Sequence, residues 1–159
     1  MENTTEQLID VHAHFVTDSY VAAARAAGHA DPDGMPGYPS WDAETHLELM
    51  DKGGIRTSIM SVSSPGTNFG DDKAARALAR EVNEFGASLM TGHPGRFGHF
   101  ASLPLPDVEG SLAELAYALN VLGSDGRRLW TSLRRCFTGC RRSRPRSVWP
   151  PGSAASRRI

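Results

Sequence analysis

The stretch that decides the fold runs from residue 8 to residue 16 and reads Leu8-Ile9-Asp10-Val11-His12-Ala13-His14-Phe15-Val16. Its apolar residues are β-prone and predict a strand. Residues i and i+2 of a strand point to one face, so the imidazoles of His12 and His14 project together. Such a pair can bind one divalent ion, although two solvent-facing strand histidines would give the same pattern.

The sequence up to residue 126 alternates strands with amphipathic helices. Strands are expected at 7–16, 55–63 and 97–105, and helices at about 17–27, 41–52, 72–90 and 107–122. Three prolines and three glycines make 28–40 a long loop. The order β-α-(loop)-α-β-α-β-α indicates βα units around a parallel sheet. A fourth strand is due after Gly126, but the sequence shows no pattern for one.

Apolar residues at helical spacing predict which faces of two helices are buried. In the helix over 41–52, Leu47 and Met50, with Leu49 alongside, are expected to face the core. The longest helix carries a stripe formed by Ala75, Leu78, Ala79, Val82, Phe85 and Leu89.

A run of motifs in a fixed order resembles the amidohydrolase-related family, in the branch similar to aminocarboxymuconate-semialdehyde decarboxylase. The motifs are Ile9-Asp-Val-His-Ala-His-Phe15, Leu49-Met-Asp-Lys-Gly-Gly-Ile55, Ser61-Val-Ser-Ser-Pro-Gly66, Ala79-Arg-Glu-Val-Asn-Glu-Phe85 and the run from His93 to Pro106. The resemblance covers about residues 8–126.

This resemblance implies the N-terminal portion of a (β/α)₈ barrel, about three to four βα units, that binds one divalent metal, usually zinc. It implies that His12 and His14 are two of the metal ligands. In the family, a further histidine on a middle strand and an aspartate on the last strand complete the site, beyond the matched residues. We therefore expect no catalytic residue in this chain beyond the two metal ligands.

The implied activity is non-oxidative decarboxylation of an aromatic or unsaturated carboxylic acid. The metal would polarise this small-molecule substrate or activate a water. Metal-dependent hydrolysis of a C–N or C–O bond is the enzymatic alternative.

Other polar residues are weaker candidates for a site. His29, Asp31, Asp33 and Tyr38 lie in the loop 28–40 and could line a substrate pocket, with a solvated loop as the alternative. We keep Tyr38 as the pocket candidate.

The remaining histidines are expected to be structural. His46 lies on a helix and is assigned to the surface, whereas His93 in a turn and His99 on a strand are assigned to packing.

Charge divides the chain at Gly126. Residues 1–126 hold all 18 acidic residues against 7 basic ones, a net charge of −11, whereas residues 127–159 hold ten arginines and no acid. Arginine-rich sequence without lysine is typical of GC-rich codons read out of frame. We expect a partial barrel domain over 1–126 and an aberrant, disordered tail over 127–159 produced by a frameshift.

The alternative for the tail is an arginine-rich arm that binds nucleic acid. The strongly acidic body disfavours it. Cys136 and Cys140 lack the second ligand pair that a structural metal site requires.

Composition also bears on location and partners. The first residues do not resemble a secretory signal, and no segment approaches the roughly 20 apolar residues of a membrane helix, so we expect a cytoplasmic protein without a membrane partner. The parent enzyme could be a homo-oligomer. A partial barrel would leave a sheet edge open, so we expect a marginal, aggregation-prone chain that is inactive alone.

Overall fold

The computed structural model describes residues 8–128, and these form a parallel sheet covered by helices. The elements in chain order are β1 (Leu8–Phe15), α1 (Asp18–Ala26), α2 (Ala43–Gly53), β2 (Ile55–Val62), α3 (Asp72–Gly92), β3 (Phe97–Ser102), α4 (Val108–Asn120) and β4 (Gly126–Arg128). A single 3₁₀ turn, Pro32–Gly34, lies in the loop between α1 and α2. The predicted α/β alternation is therefore confirmed.

The strands lie side by side in their sequence order, β1-β2-β3-β4. Every pair is parallel, with His14 opposite Ser61, Met60 opposite His99 and Phe100 opposite Gly126. Because each connection carries a helix, the sheet has the layout of successive βα units.

The fourth strand corrects one sequence prediction. Gly126–Arg128 pairs parallel with β3 through Ala101–Arg127 and Ser102–Arg128, so a strand does form where none was expected. Backbone hydrogen bonds make this ladder whatever the side chains are, which is why hydrophobic patterning missed it. The strand extends two residues past the predicted division at Gly126; residues 129–159, with the predicted tail, lie outside the described residues.

The core lies between the sheet and the helices. Phe15 of β1, Met60 of β2 and Phe97 of β3 are buried there beside Met50 of α2 and Val82 of α3. The stripe predicted for α3 is buried as expected, with Phe85 partly buried against the same cluster. Packing of this apolar face stabilises the helix on the sheet.

Aspartates set the starts of three helices. Asp42, Asp71 and Asp107 each accept a hydrogen bond from a backbone N–H of the first turn, at 2.8, 2.7 and 3.0 Å. A side-chain oxygen at this position satisfies one of the free donors of the helix end. The helix predicted from about residue 41 begins two residues later for this reason, because the cap is Asp42 and the helix begins at Ala43.

Two helices present apolar residues to solvent. Leu49 of α2 is 60 % exposed, so its predicted place in the core was wrong, whereas Met50 is buried as predicted. In α4 the buried residues include Ser111 and Glu114, whereas Leu112 and Leu119 are exposed. Polar contacts of Glu114 with Asn83 and Arg80 decide which face of α4 is buried.

A hydrogen-bond network joins α3, α4 and β3. The buried Asn83 side chain donates to the Ser102 carbonyl at 2.9 Å and to Glu114 Oε1 at 2.8 Å, and accepts from the Ser102 amide at 2.7 Å. Arg80 contacts the same carboxylate at 2.9 Å. These partners satisfy a buried carboxylate that would otherwise be costly, and they turn the polar face of α4 inward.

Apolar side chains are exposed at both flanks of the sheet. Leu8, Ile9 and Val11 are exposed on β1, and Val108, Leu112, Leu119 and Val121 are exposed on or after α4. Within residues 8–128, no helix combines the length and the apolar character needed to cross a membrane.

Candidate metal site

The two candidate ligands sit at an irregularity in β1. Asp10 pairs with Ser58 and Ala13 pairs with Met60. Between these two pairs β1 contains two residues and β2 contains one, so β1 has a bulge of one residue. Val11 and His12 thus lie opposite the single residue Ile59. A bulge of this kind re-aims side chains and is common beside active sites.

The structure brings His12 and His14 together as predicted. Their ring centroids lie 4.9 Å apart in an edge-on arrangement. The backbone N–H of His12 donates to Asp10 Oδ1 at 2.9 Å, which ties the bulge to its own strand. His12 is exposed and His14 is half-buried.

The neighbouring strand fixes the orientation of His14. Its Nδ1 lies 3.2 Å from the Ser61 carbonyl oxygen. A carbonyl oxygen can only accept, so this contact requires the proton on Nδ1, and a neutral ring then carries its lone pair on Nε2. Metal-binding histidines commonly donate their second ring nitrogen to a carbonyl in this way. The two imidazoles therefore fit a divalent ion in ligand type and proximity, and His14 also fits in tautomer.

Sequence reasoning missed Ser61, the residue that fixes His14. Its carbonyl holds the ring, and its hydroxyl donates to the Ala13 carbonyl at 3.4 Å. Ser61 is buried at the end of β2. A backbone carbonyl gives no residue-type pattern, so only the strand register shows this contact.

No third ligand joins the pair within the part of the chain that the structure describes. Among residues 8–128, no group of three or more histidine, cysteine, aspartate or glutamate side chains could hold a metal. The two histidines can thus supply part of a metal site.

The loop 28–40 lies against α1 and the end of β2. Tyr38 packs edge-on against Tyr20, with ring centroids 6.1 Å apart, and its hydroxyl is buried without a hydrogen-bond partner in the described structure. Burial raises the pKa of Tyr38, and the Asp33 carboxylate adds to the rise while Arg25 opposes it. The place of Tyr38 as a substrate contact remains a prediction.

His99 is a packing residue on the helix-facing side of β3. Its Nδ1 lies 3.0 Å from Ser124 Oγ, while Nε2 is buried without a partner in the described structure. A Cβ placed on Gly86 of α3 would lie 2.3 Å from the ring. Burial lowers the pKa of His99 to about 4, against the opposing effect of Asp125.

The prediction that His46 lies on the surface was wrong. It is half-buried: Trp41 Nε1 donates to its Nδ1 at 3.4 Å and Phe97 lies 5.6 Å away between ring centroids. Burial lowers the pKa of His46, and Asp10 opposes the effect. Helical periodicity could not predict this contact, because Phe97 belongs to β3, a different element. His93 also packs edge-on against Phe97, at 5.5 Å, as expected for a packing residue.

A groove of about 320 Å³ lies between α3 and α4, in the helix layer. The two arginines that line it form ion pairs, Arg76 with Asp107 at 2.5 Å and Arg80 with Glu114 at 2.9 Å. The groove does not include the histidines.

Among curated proteins, this chain is similar to decarboxylases. It is 43 % identical over 128 residues to the decarboxylase yanB of Aspergillus niger, and the match covers 77 % of this chain and 34 % of that protein. It is 41 % identical over 125 residues to the 6-methylsalicylic acid decarboxylase acuB of Aspergillus aculeatus, covering 77 % and 37 %. The chain thus spans about a third of the length of these relatives. No family model matches it.

Solved structures give the same picture. A protein described as amidohydrolase II is 37 % identical with a TM-score of 0.71, over 75 % of this chain and 39 % of that one. A dihydroxybenzoic acid decarboxylase from Polaromonas, solved with bound manganese and the inhibitor 2-nitroresorcinol, is 27 % identical with a TM-score of 0.63, over 76 % and 37 %. These comparisons confirm the resemblance drawn from the motifs.

Proposed function

We propose that this chain, a member of the amidohydrolase-related family, supplies the first part of a metal-dependent, non-oxidative decarboxylase of an aromatic carboxylic acid. The observation that carries the proposal is the histidine pair on β1, with the Nδ1 proton of His14 donated to the Ser61 carbonyl so that the lone pair of the neutral ring lies on Nε2. Relatives named as decarboxylases of 6-methylsalicylic acid and of gamma-resorcylate support the substrate class.

His12 and His14 are proposed as two ligands of one divalent ion. Imidazole nitrogen suits zinc, the ion expected from the family, while the manganese bound by the Polaromonas relative supports a divalent metal in general. When bound, such an ion acts as a Lewis acid that holds and polarises a carboxylated ring.

The chain's own residues prepare this site before any metal binds. The Ser61 carbonyl keeps the proton on His14 Nδ1, and Asp10 holds the backbone of the bulge at His12. Both contacts limit rotation of the ligand-bearing segment, so less ordering is needed on binding.

We also propose that residues 8–126 alone do not complete an active site. Two imidazoles leave most positions around a divalent ion to water, which predicts weak binding and no decarboxylation by the isolated chain.

The predicted frame change after Gly126 would explain the arginine-rich residues that follow. Sequencing the coding DNA from codon 120 in all three frames tests it: a displaced frame that continues as βα units supports the proposal.

Metal titration of the full chain tests the ligand assignment. Binding of Mn²⁺, followed by the loss of its free-ion electron paramagnetic resonance signal, should be weak and one-to-one. His12→Ala and His14→Ala should each weaken it by about tenfold or more. His29→Ala is the matched control, because His29 is exposed and contacts Phe69 instead. Equal binding by all four proteins would contradict the assignment.

A further inference from the structure

The loop 28–40 is fastened to the end of β2 by one side chain. Asp33 Oδ2 accepts from Ser63 Oγ at 3.4 Å, and Asp33 Oδ1 accepts from Ser64 Oγ in a shorter contact. Ser63 and Ser64 directly follow β2. The contacts join residues about 30 positions apart, so they fix the loop to the sheet and not merely to itself.

The backbone of Asp33 adopts the left-handed conformation, which non-glycine residues adopt rarely and aspartate more often than most. With φ 52° and ψ 26°, it is the one non-glycine residue with positive φ in the described part of the chain. Glycine, which has no Cβ, would adopt this left-handed geometry at lower cost. A strained residue persists where surrounding contacts determine its conformation.

The same end of β2 also bears on the histidine pair. Ser61 pairs with His14, and the contacted residues Ser63 and Ser64 follow two and three positions later on the same chain. Tyr20 of α1 donates its hydroxyl to the Ser63 carbonyl at 3.3 Å. The loop and α1 therefore meet at the carboxyl end of β2, directly after the strand segment that pairs with His14.

We propose that Asp33 is a latch: its carboxylate holds the loop 28–40 as a fixed wall beside the histidine pair. The Asp33 carboxylate accepts from both serine hydroxyls as a charged group, and these contacts favour the left-handed backbone of Asp33. The description of the loop as a wall of a binding site rests on the proposed function. The latch itself does not.

Hydrogen exchange of one loop amide measures the latch directly. The Met35 amide donates to the Pro32 carbonyl at 2.9 Å, inside the 3₁₀ turn that contains Asp33. In the full chain, Asp33→Ala should speed exchange of this amide by about threefold to tenfold, the range expected for losing exposed hydrogen bonds to a charge. Amides within α3 should keep their exchange rates and report that the fold is intact.

Glycine at this position separates the latch from a simple turn preference. Asp33→Gly relieves the positive φ but removes the carboxylate. The latch predicts faster Met35 exchange in Asp33→Gly as in Asp33→Ala. Unchanged or slower exchange in Asp33→Gly would show that local backbone geometry alone sets the loop, and would overturn the proposal.

The partner side and a matched control complete the test. The Ser63→Ala/Ser64→Ala variant should match Asp33→Ala, and combining both changes should add little, because they remove the same contacts. Asp31→Asn removes the same charge from the same loop, but among residues 8–128 the Asp31 side chain accepts from the Gly37 amide alone, at 3.2 Å. It should leave Met35 exchange unchanged, and fully additive effects of the two latch changes would contradict the latch. All readouts are independent of metal binding, so failure of the proposed function would not mimic failure of the latch.

Discussion

His14 and Ser61 are joined across two parallel strands, with His14 Nδ1 3.2 Å from the Ser61 carbonyl oxygen. Since the oxygen only accepts, the contact predicts one tautomer of His14, protonated at Nδ1. The contact also couples the position of a candidate metal ligand to the register of β1 against β2. Register is therefore a condition of the site and not only of the fold.

The tautomer of His14 can be measured. Long-range ¹H–¹⁵N correlation spectra of the metal-free chain should show the Nδ1–H form for His14. Addition of Zn²⁺ should shift its Nε2 resonance and leave His29, the exposed histidine in the loop, unchanged. An Nε2–H form of His14 would be incompatible with the contact and with ligation through Nε2.

The contact between α3 and β3 leaves no room for a side chain at Gly86. A Cβ there would lie 2.3 Å from His99 Cδ2, so Gly86→Ala should destabilise the chain by roughly 1–3 kcal/mol. Gly92→Ala, on the same helix, is the control: no atom lies within 4 Å of its Cβ position. That change should be neutral or stabilising by up to about 1 kcal/mol. Urea unfolding compares the two, and equal stability would refute the packing assigned to His99.

Acid should weaken the fold through His99. Burial lowers the pKa of His99 from its ordinary 6.5 to about 4, so the folded chain holds this ring neutral where the unfolded chain protonates it. The unfolded state binds more protons between these values. Stability is therefore fully present above about pH 6.5 and falls as the pH drops towards 4, by up to about 3 kcal/mol. Burial also lowers the pKa of His46, which acts in the same direction.

Urea unfolding across this pH range measures the effect. His99→Gln removes the titrating group and should flatten the dependence of the unfolding free energy on pH, whatever its effect on absolute stability. His29→Ala should retain the wild-type dependence. An unaltered slope in His99→Gln would mean that another group controls acid sensitivity.

The exposed apolar flanks should promote self-association. Ile9 and Val11 are 62 % and 64 % exposed on the edge strand β1. Edge strands with apolar side chains are templates for pairing with other chains. Replacing both residues with threonine keeps β propensity and should raise the fraction of protein that remains in the supernatant and elutes as a monomer. A wild-type chain that already melts cooperatively as a monomer would contradict this expectation.

Periodicity predicted the strands and helices that carry strong patterns, and the histidine spacing predicted the pair on β1. It failed where backbone pairing or polar contacts decide the outcome. β4 forms from backbone hydrogen bonds, and Glu114 is buried by Arg80 and Asn83. The bulge at His12 depends on pairing with β2, and Asp33 contacts Ser64 just after β2. Both relate segments that are distant in sequence, which no local pattern encodes.

Decarboxylation by a chimaera is the most direct test of the account. Residues 8–126 would replace the matching segment of the 6-methylsalicylic acid decarboxylase of Aspergillus aculeatus, to which the chain is 41 % identical, and release of CO₂ from 6-methylsalicylic acid would be measured with added Mn²⁺ or Zn²⁺. We predict an active chimaera that His12→Ala or His14→Ala inactivates and that His29→Ala leaves active. A folded chimaera without activity, or one equally active without His12 and His14, would contradict the claim that this segment brings two metal ligands to a decarboxylase.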